Sequence, residues 1–230
     1  NMPPPAPLLR KSFTIEKEIA SARAFVTGLG FFEFYVNGKK AGDDVLVPNT
    51  TLYSRRDDVG AIAAMTGNNF REYRVMYLSY DITTLLTRGE NVTGAIVGNG
   101  FYNPQSYWCQ GYGTPRFLGQ IHIRYTDGTE DVISTDETWK AEKSPIVMDL
   151  VYDGEHYDAR LEHPGWAAPA YDDSRWQNAV IRRAPDGILQ AHSSPTDKVR
   201  EILPPQKIKK LGEGNYKLIS VRRYQDGSAS

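Results

Sequence analysis

Apolar and polar residues alternate with a period of two through most of this chain, and the stretch that sets the pattern is residues 22–46, ARAFVTGLGFFEFYVNGKKAGDDVL. Phe25, Phe32, Phe34 and Val36 lie in an aromatic and β-branched run, the signal of a half-buried strand pair. Gly28, Gly30 and Asn37-Gly38 punctuate it, since glycine accepts positive φ and Asn-Gly is the strongest short-range hairpin signal. The stretch reads as a β-meander that opens the core, with the later strands laid against it.

Upstream, residues 1–7 form a proline-rich extended lead-in, and residues 8–17 alternate as a first strand with Phe13 and Ile15 on one face. Downstream, residues 48–69 lose periodicity and read as a polar surface excursion with a helical turn at 61–65. Residues 73–82 form a strand ending in Asp81, which caps a helical turn over 83–87. Gly89-Glu90-Asn91 turns into a strand over 92–97. An irregular loop, 98–113, then leads to a strand over 117–125, where Ile121 and Ile123 face one way and His122 the other. Asp127-Gly128 is a two-residue hairpin turn into residues 130–135. Short strands follow at 139–141, 147–152 and 179–183 between loops rich in Asp, Pro and Ala. Many short strands with little helix predict an all-β fold, an antiparallel β-sandwich or jelly roll, over residues 8–194. Beyond Pro195 the chain turns basic and mixed and reads as a strand or two leading out of the domain, then a frayed end.

Composition narrows the function more than the fold. With 230 residues, 40% hydrophobic and 24% charged, there is material for one sizeable core. The formal net charge of -1 gives no electrostatic footprint for nucleic acid or an acidic membrane. No apolar run reaches the roughly 18 residues of a membrane span, and no secretory leader is visible; an exported parent, periplasmic or secreted, carries its signal upstream. The lone Cys109 cannot pair internally, so no oxidising compartment is required. The 14 tyrosines and 4 tryptophans suit burial and sugar stacking alike.

Two regions carry candidate chemistry. Asp149, Asp153, Glu155 and Asp158 form an acidic cluster, and inverting glycoside hydrolysis uses an acid and a base about 6.5 to 9.5 Å apart. Spacing along the chain does not fix that separation, and Asp158 with Arg160 equally makes a structural ion pair, so no residue is assigned a catalytic role. In the loop 98–113, Tyr102, Tyr107, Trp108 and Tyr112 offer flat faces to a sugar ring beside the polar Asn99. The alternative is that these rings cover the end of the sandwich. Trp139, Trp166 and Trp176 read as core or corner residues. His156 and His163 lack the paired spacing of a zinc site, and Cys109 has no catalytic partner.

Several blocks, in this order, resemble the N-terminal β-sandwich module of bacterial α-L-rhamnosidases, inverting glycoside hydrolases that release terminal L-rhamnose. They are AFVTGLGFFEFYVNGKKAG (24–42), YDIT (80–83) with GEN (89–91), VGNGFY (97–102), TDGTEDVISTDETWK (126–140), DGEHYDARLE (153–162), PGW (164–166) and DDSRW (172–176). The DGEHYDARLE block separates the chain from the jelly-roll sugar-binding domain of β-galactosidase-type enzymes, which shares the Asn-Gly hairpin and the later D-I-T and G-x-N pair. The resemblance implies that the catalytic carboxylates belong to a helical (α/α)6 barrel far downstream. It further implies a non-catalytic, carbohydrate-contacting module that packs on the downstream domains of the same enzyme and contacts an L-rhamnose-containing glycan. A calcium-assisted site is implied too, mapping onto Asn99 and, more loosely, Asp149, with Gly100 standing where metal-binding members carry another side-chain ligand. The candidate ligand-binding residues are Asn99, Tyr102, Trp108, Tyr112 and Asp149. The resemblance also makes residues 195–230 a linker and the truncated start of a following module. A purely structural domain that binds nothing is the rival reading; a third, a chain that hydrolyses a glycoside alone, requires two carboxylates converging in a closed pocket, which no sequence feature demands.

Overall fold

The structure of the protein, a computed structural model, describes residues 5–54, 72–104, 111–213 and 215–219. Trp108 and the turn expected at 61–65 lie outside the described residues. Along the chain come β1 (Pro7–Ile15), β2 (Ile19–Leu29), β3 (Phe32–Val36), β4 (Lys39–Lys40), β5 (Asp44–Val45), β6 (Arg74–Asp81) and β7 (Gly89–Val97). They are followed by β8 (Arg116–Tyr125), β9 (Glu130–Ser134), β10 (Lys140–Lys143), β11 (Ile146–Leu150), β12 (Gly154–Tyr157), β13 (Gln177–Asn178) and β14 (Ile188–Ala191).

Two sheets face one another as a β-sandwich. One has six strands in the order β13-β10-β1-β7-β3-β4, and the other five in the order β14-β6-β2-β8-β9. The pairings within them are antiparallel apart from β14 with β6, which run parallel. Strand alternation sends one set of side chains inward from each sheet. Ile15, Phe32, Phe34, Val36, Ala95 and Val97 meet Ala22, Ala24, Val26, Leu78, Ile121 and Ile123 in the buried core.

Residues 22–46 do not fold as the expected meander. Leu29, at the end of β2, pairs with Arg116 of the five-stranded sheet, whereas Phe32, at the start of β3, pairs with Val97 of the six-stranded one. The glycines there make a corner between sheets. Gly30 has φ +114, and a Cβ on it would collide with the Gly98 carbonyl oxygen. Crossing the corner also changes which positions face inward. On β2 the small residues Ala22, Ala24 and Val26 point to the core, and Phe25 points outward, its ring edge-on to Tyr77 at 6.1 Å and to His122 at 5.4 Å. Asn37-Gly38 is a two-residue hairpin turn, with φ 49 and 79, joining β3 to β4.

The VNG and GEN blocks are locked together. Asn37 Nδ2 donates to Asn91 Oδ1 at 2.8 Å, and Asn37 Oδ1 accepts the Val92 N–H at 2.8 Å. Asn91, fully buried, also accepts the Thr87 N–H and donates to the Thr87 and Gly89 carbonyls, so both of its amide protons and its oxygen are used.

Several boundaries differ from the sequence reading, among them the start of β7, which takes in the Gly89-Glu90-Asn91 read as a turn. Pro7 already belongs to β1, where a first strand position tolerates proline, and Ala6 is buried with its N–H on the Ile146 carbonyl. Residues 179–183 are not a strand; the chain pairs at β13 and β14 instead, leaving Val180 and Ile181 without a sheet neighbour and exposed. Residues 153–157, expected as an acidic loop, include β12, which forms a hairpin with β11. Residues 1–197 form one compact unit and 198–230 a second; the second contains an antiparallel hairpin, Lys207–Gly212 with Asn215–Ile219.

Candidate functional site

The outer face of the six-stranded sheet is built on the strand positions that alternate with the core: Leu8 and Arg10 on β1, Gly94 and Ile96 on β7, Glu33 and Tyr35 on β3. The register places Leu8 opposite Ile96, Arg10 opposite Gly94, Ile96 opposite Glu33 and Gly94 opposite Tyr35. Such a face normally meets water. Here the chain after β10 returns and roofs it, and the blocks DGEHYDARLE, PGW and DDSRW are the roof.

Arg10 pins that roof. Its side chain is 1% exposed, forms an ion pair with Asp173, donates from Nη2 to the Ala168 carbonyl at 3.3 Å and from Nη1 to the Tyr171 carbonyl at 3.5 Å, and lies over the Tyr171 ring at 5.3 Å. Tyr171 in turn hydrogen-bonds His163 Nδ1 at 3.2 Å, and both rings sit edge-on to Trp176 at 5.6 Å. A second pin is Trp166, whose ring lies against Gly94, where a Cβ would come within 2.5 Å of Cζ3. Its edge meets Tyr35 at 5.5 Å.

Between floor and roof runs a groove of about 910 Å³. Its floor includes Leu8, Ile96, Glu33 and Tyr35, and its walls carry Trp166, Tyr157, Glu155, Glu162 and His163. Asp149, Gly98, Gly100 and Phe101 close one end. Phe101 is exposed and edge-on to Phe31 at 6.1 Å and to Tyr152 at 6.3 Å. Glu33 accepts from Lys40 Nζ at 2.7 Å and from the Tyr35 hydroxyl at 2.5 Å. Burial, and then that carboxylate, push the Tyr35 hydroxyl far above its ordinary pKa, so it remains a proton donor. Glu162 accepts from the Tyr157 hydroxyl at 2.8 Å.

The structure brings the described sequence-predicted residues together in two pairs, Asn99 with Asp149 and Tyr102 with Tyr112. Asn99, 1% exposed, donates its backbone N–H to Asp149 Oδ2 and its Nδ2 to Asp149 Oδ1 at 2.8 Å, while its Oδ1 accepts from Asn103 Nδ2 at 2.7 Å. The pair ties the loop after β7 to β11, and Asp149 faces the groove while Asn99 stays behind it. Burial raises the Asp149 carboxyl above the usual carboxylate range, opposed by the N–H groups of Asn99 and Gly100. Tyr102 is 2% exposed, stacked on Tyr112 at 5.5 Å with Tyr53 edge-on to both, a small second core with Leu29 and Val75. Those two rings therefore pack on protein.

Calcium takes six to eight oxygens. Around Asn99 and Asp149 the oxygens point at N–H donors, which a cation would repel, and no group of three or more His, Cys, Asp or Glu able to hold a metal occurs among the described residues. The donor set does not fit that ion. In the acidic cluster, Asp158 caps the 3-10 turn Ala159–Leu161 by accepting the Arg160 N–H, and grips the Arg160 guanidinium at 2.8 and 2.6 Å. It is the structural pair anticipated from the sequence.

Sequence reasoning missed Glu33, Tyr35, Phe101 and Trp166 as groove residues. The outward parity of Glu33 and Tyr35 between Phe32, Phe34 and Val36 was the available signal; nothing local says that this outward face is roofed.

Residues 17–201 match the profile of the alpha-L-rhamnosidase N-terminal domain. The chain belongs to that family. It is similar to the alpha-L-rhamnosidases of Formosa agariphila, 33% identical over 219 residues, and of an Alteromonas species, 35% over 217 residues; each alignment covers 92% of this chain and 21% of the relative. Among solved structures, the alpha-L-rhamnosidase of Dictyoglumus thermophilum superposes with a TM-score of 0.76 at 36% identity, over 92% of this chain and 22% of that one. The Streptomyces avermitilis enzyme, complexed with L-rhamnose, gives 0.74 at 30% identity over 92% and 19%. The chain thus spans about a fifth of the length of these relatives, and its homologues are domains of larger rhamnosidases.

Proposed function

We propose that this N-terminal rhamnosidase domain is a non-catalytic module that holds L-rhamnose-terminated carbohydrate in the outer-face groove. The observation that supports it most is the lining: aromatic surfaces from Trp166, Tyr157 and Phe101 beside carboxylates from Asp149, Glu155 and Glu162. Sugars are bound in this way, with C–H faces against rings and hydroxyls donating to fixed acceptors. That the Streptomyces avermitilis relative was solved with L-rhamnose makes this sugar the first ligand to test. In this reading Asp149 contacts the sugar and Asn99 positions Asp149.

The rival reading, a scaffold for the downstream domains, is favoured by Val180 and Ile181, 67% and 68% exposed, and by the exposed Ile188 and Leu189 of β14. An apolar surface of this kind suits a neighbouring domain. Isothermal titration with L-rhamnose separates the two. Saturable heat that is lost in Trp166→Ala, with the fold retained by circular dichroism, is the expected result; no heat at millimolar sugar would leave the scaffold role.

A further inference from the structure

The charge on the groove carries a further inference, which rests on the sugar-groove reading. Glu33, Asp149, Glu155 and Glu162 line it, and no lysine or arginine does among the described residues. Glu33 is balanced by Lys40 from outside the groove, and Glu162 is held by the neutral Tyr157 hydroxyl. Asp149 and Glu155 are direct partners across the β11–β12 hairpin. Opposed residues of an antiparallel pair point to the same side with Cβ atoms about 5 Å apart, and like charges placed so weaken the hairpin. A hairpin that carries such a pair and turns it toward a groove presents a surface suited to hydroxyl donors and hostile to anions. Sites that take carboxylate or sulfate groups do the opposite and supply arginine or lysine.

We propose that this groove admits uncharged sugars and excludes anionic ones, uronates and sulfated sugars, with Glu155 and Glu162 as the specificity-determining residues. An uncharged ring can donate its hydroxyls to carboxylates that line the groove. A sulfate or carboxylate on that ring meets the negative charge of Glu155 and Glu162 on the walls, Glu33 on the floor and Asp149 at one end.

The test is isothermal titration of this chain with L-rhamnose and with L-rhamnose 3-sulfate, for the wild type and for Glu155→Gln/Glu162→Gln, whose melting curve confirms the fold. The expected result is binding of the sulfate at least about tenfold weaker than of the parent sugar at low salt, as repulsion over a few ångströms gives. The gap narrows several-fold in the double variant and in about 0.5 M NaCl, where exposed charges are screened. Equal or tighter binding of the sulfate overturns the proposal. So does an exclusion that neither the variant nor salt relieves, because it is then steric. Absence of heat with L-rhamnose itself fails at the earlier step and removes the groove reading along with this one.

Discussion

Arg10 and Asp173 offer the sharpest test of how the groove is held, because the two ends of the pair are unequally buried. The arginine side chain is 1% exposed and the aspartate 25%. Replacing Asp173 with Ala leaves a guanidinium sealed under the roof with the Ala168 and Tyr171 carbonyls and the Tyr171 ring as neighbours, and its Nε has no hydrogen-bond partner among the described residues. Breaking a buried pair from one side typically costs 3 to 5 kcal/mol; the remaining contacts put this one near the lower end, about 3 kcal/mol. For a chain of this size that is a fall in Tm of roughly 6 to 12 °C. Arg10→Met removes the charge, keeps most of the buried stem, and leaves an aspartate that water can reach, so its cost is expected at about 1 kcal/mol. The double variant should resemble Arg10→Met alone. Urea denaturation of the four proteins, followed by tryptophan fluorescence, measures all of this. If Asp173→Ala costs no more than Arg10→Met, the buried-charge reasoning is wrong and the roof is held by packing alone.

Three further outcomes are expected. Asn91→Ala strands the Thr87 N–H and the Thr87 and Gly89 carbonyls and takes an acceptor from Asn37, so it should lose about 2 to 4 kcal/mol in the same denaturation assay; a loss under 1 kcal/mol would refute the interlock. Gly94→Ala places a methyl 2.5 Å from Trp166 Cζ3 and 2.9 Å from the Leu9 carbonyl oxygen, and should cost about 1 to 3 kcal/mol and shift the Trp166 emission, whereas a neutral effect would mean that the roof yields freely. The third concerns pH. Hydrogen bonds from Thr129 hold the exposed Asp127 carboxyl at about 2, and those from Arg160 hold Asp158 at about 2, against 3.8 ordinarily. Carboxyls depressed by folding stabilise the native state above 3.8, and that contribution disappears as pH falls toward 2. Asp149 has the opposite sign, since its raised pKa makes ionisation oppose folding. The Tm of Asp127→Asn/Asp158→Asn should therefore fall less steeply than the wild type's between pH 4 and pH 2; an unchanged slope would count against both assignments.

Residue order by itself determined the strand class, the turns at Asn37-Gly38 and Asp127-Gly128, the inward set Phe32, Phe34 and Val36, and the family, because alternation, turn chemistry and block order are properties of neighbouring residues. Trp139 and Trp176 were legible as buried for the same reason. Only the tertiary structure decided that Gly30 turns a corner between sheets and that Phe25 therefore faces outward. Only it decided that Tyr102 is closed in by Tyr53 and Tyr112, and that Asn99 and Asp149, 50 residues apart, occupy each other. It decided the groove as well. The roof exists because Arg10, near the start of β1, meets Asp173, 163 residues later, and because Gly94 leaves room for Trp166. Contacts so distant along the chain leave no local signature, since the alternation that marks an outward face is the same whether water or a returning segment covers it.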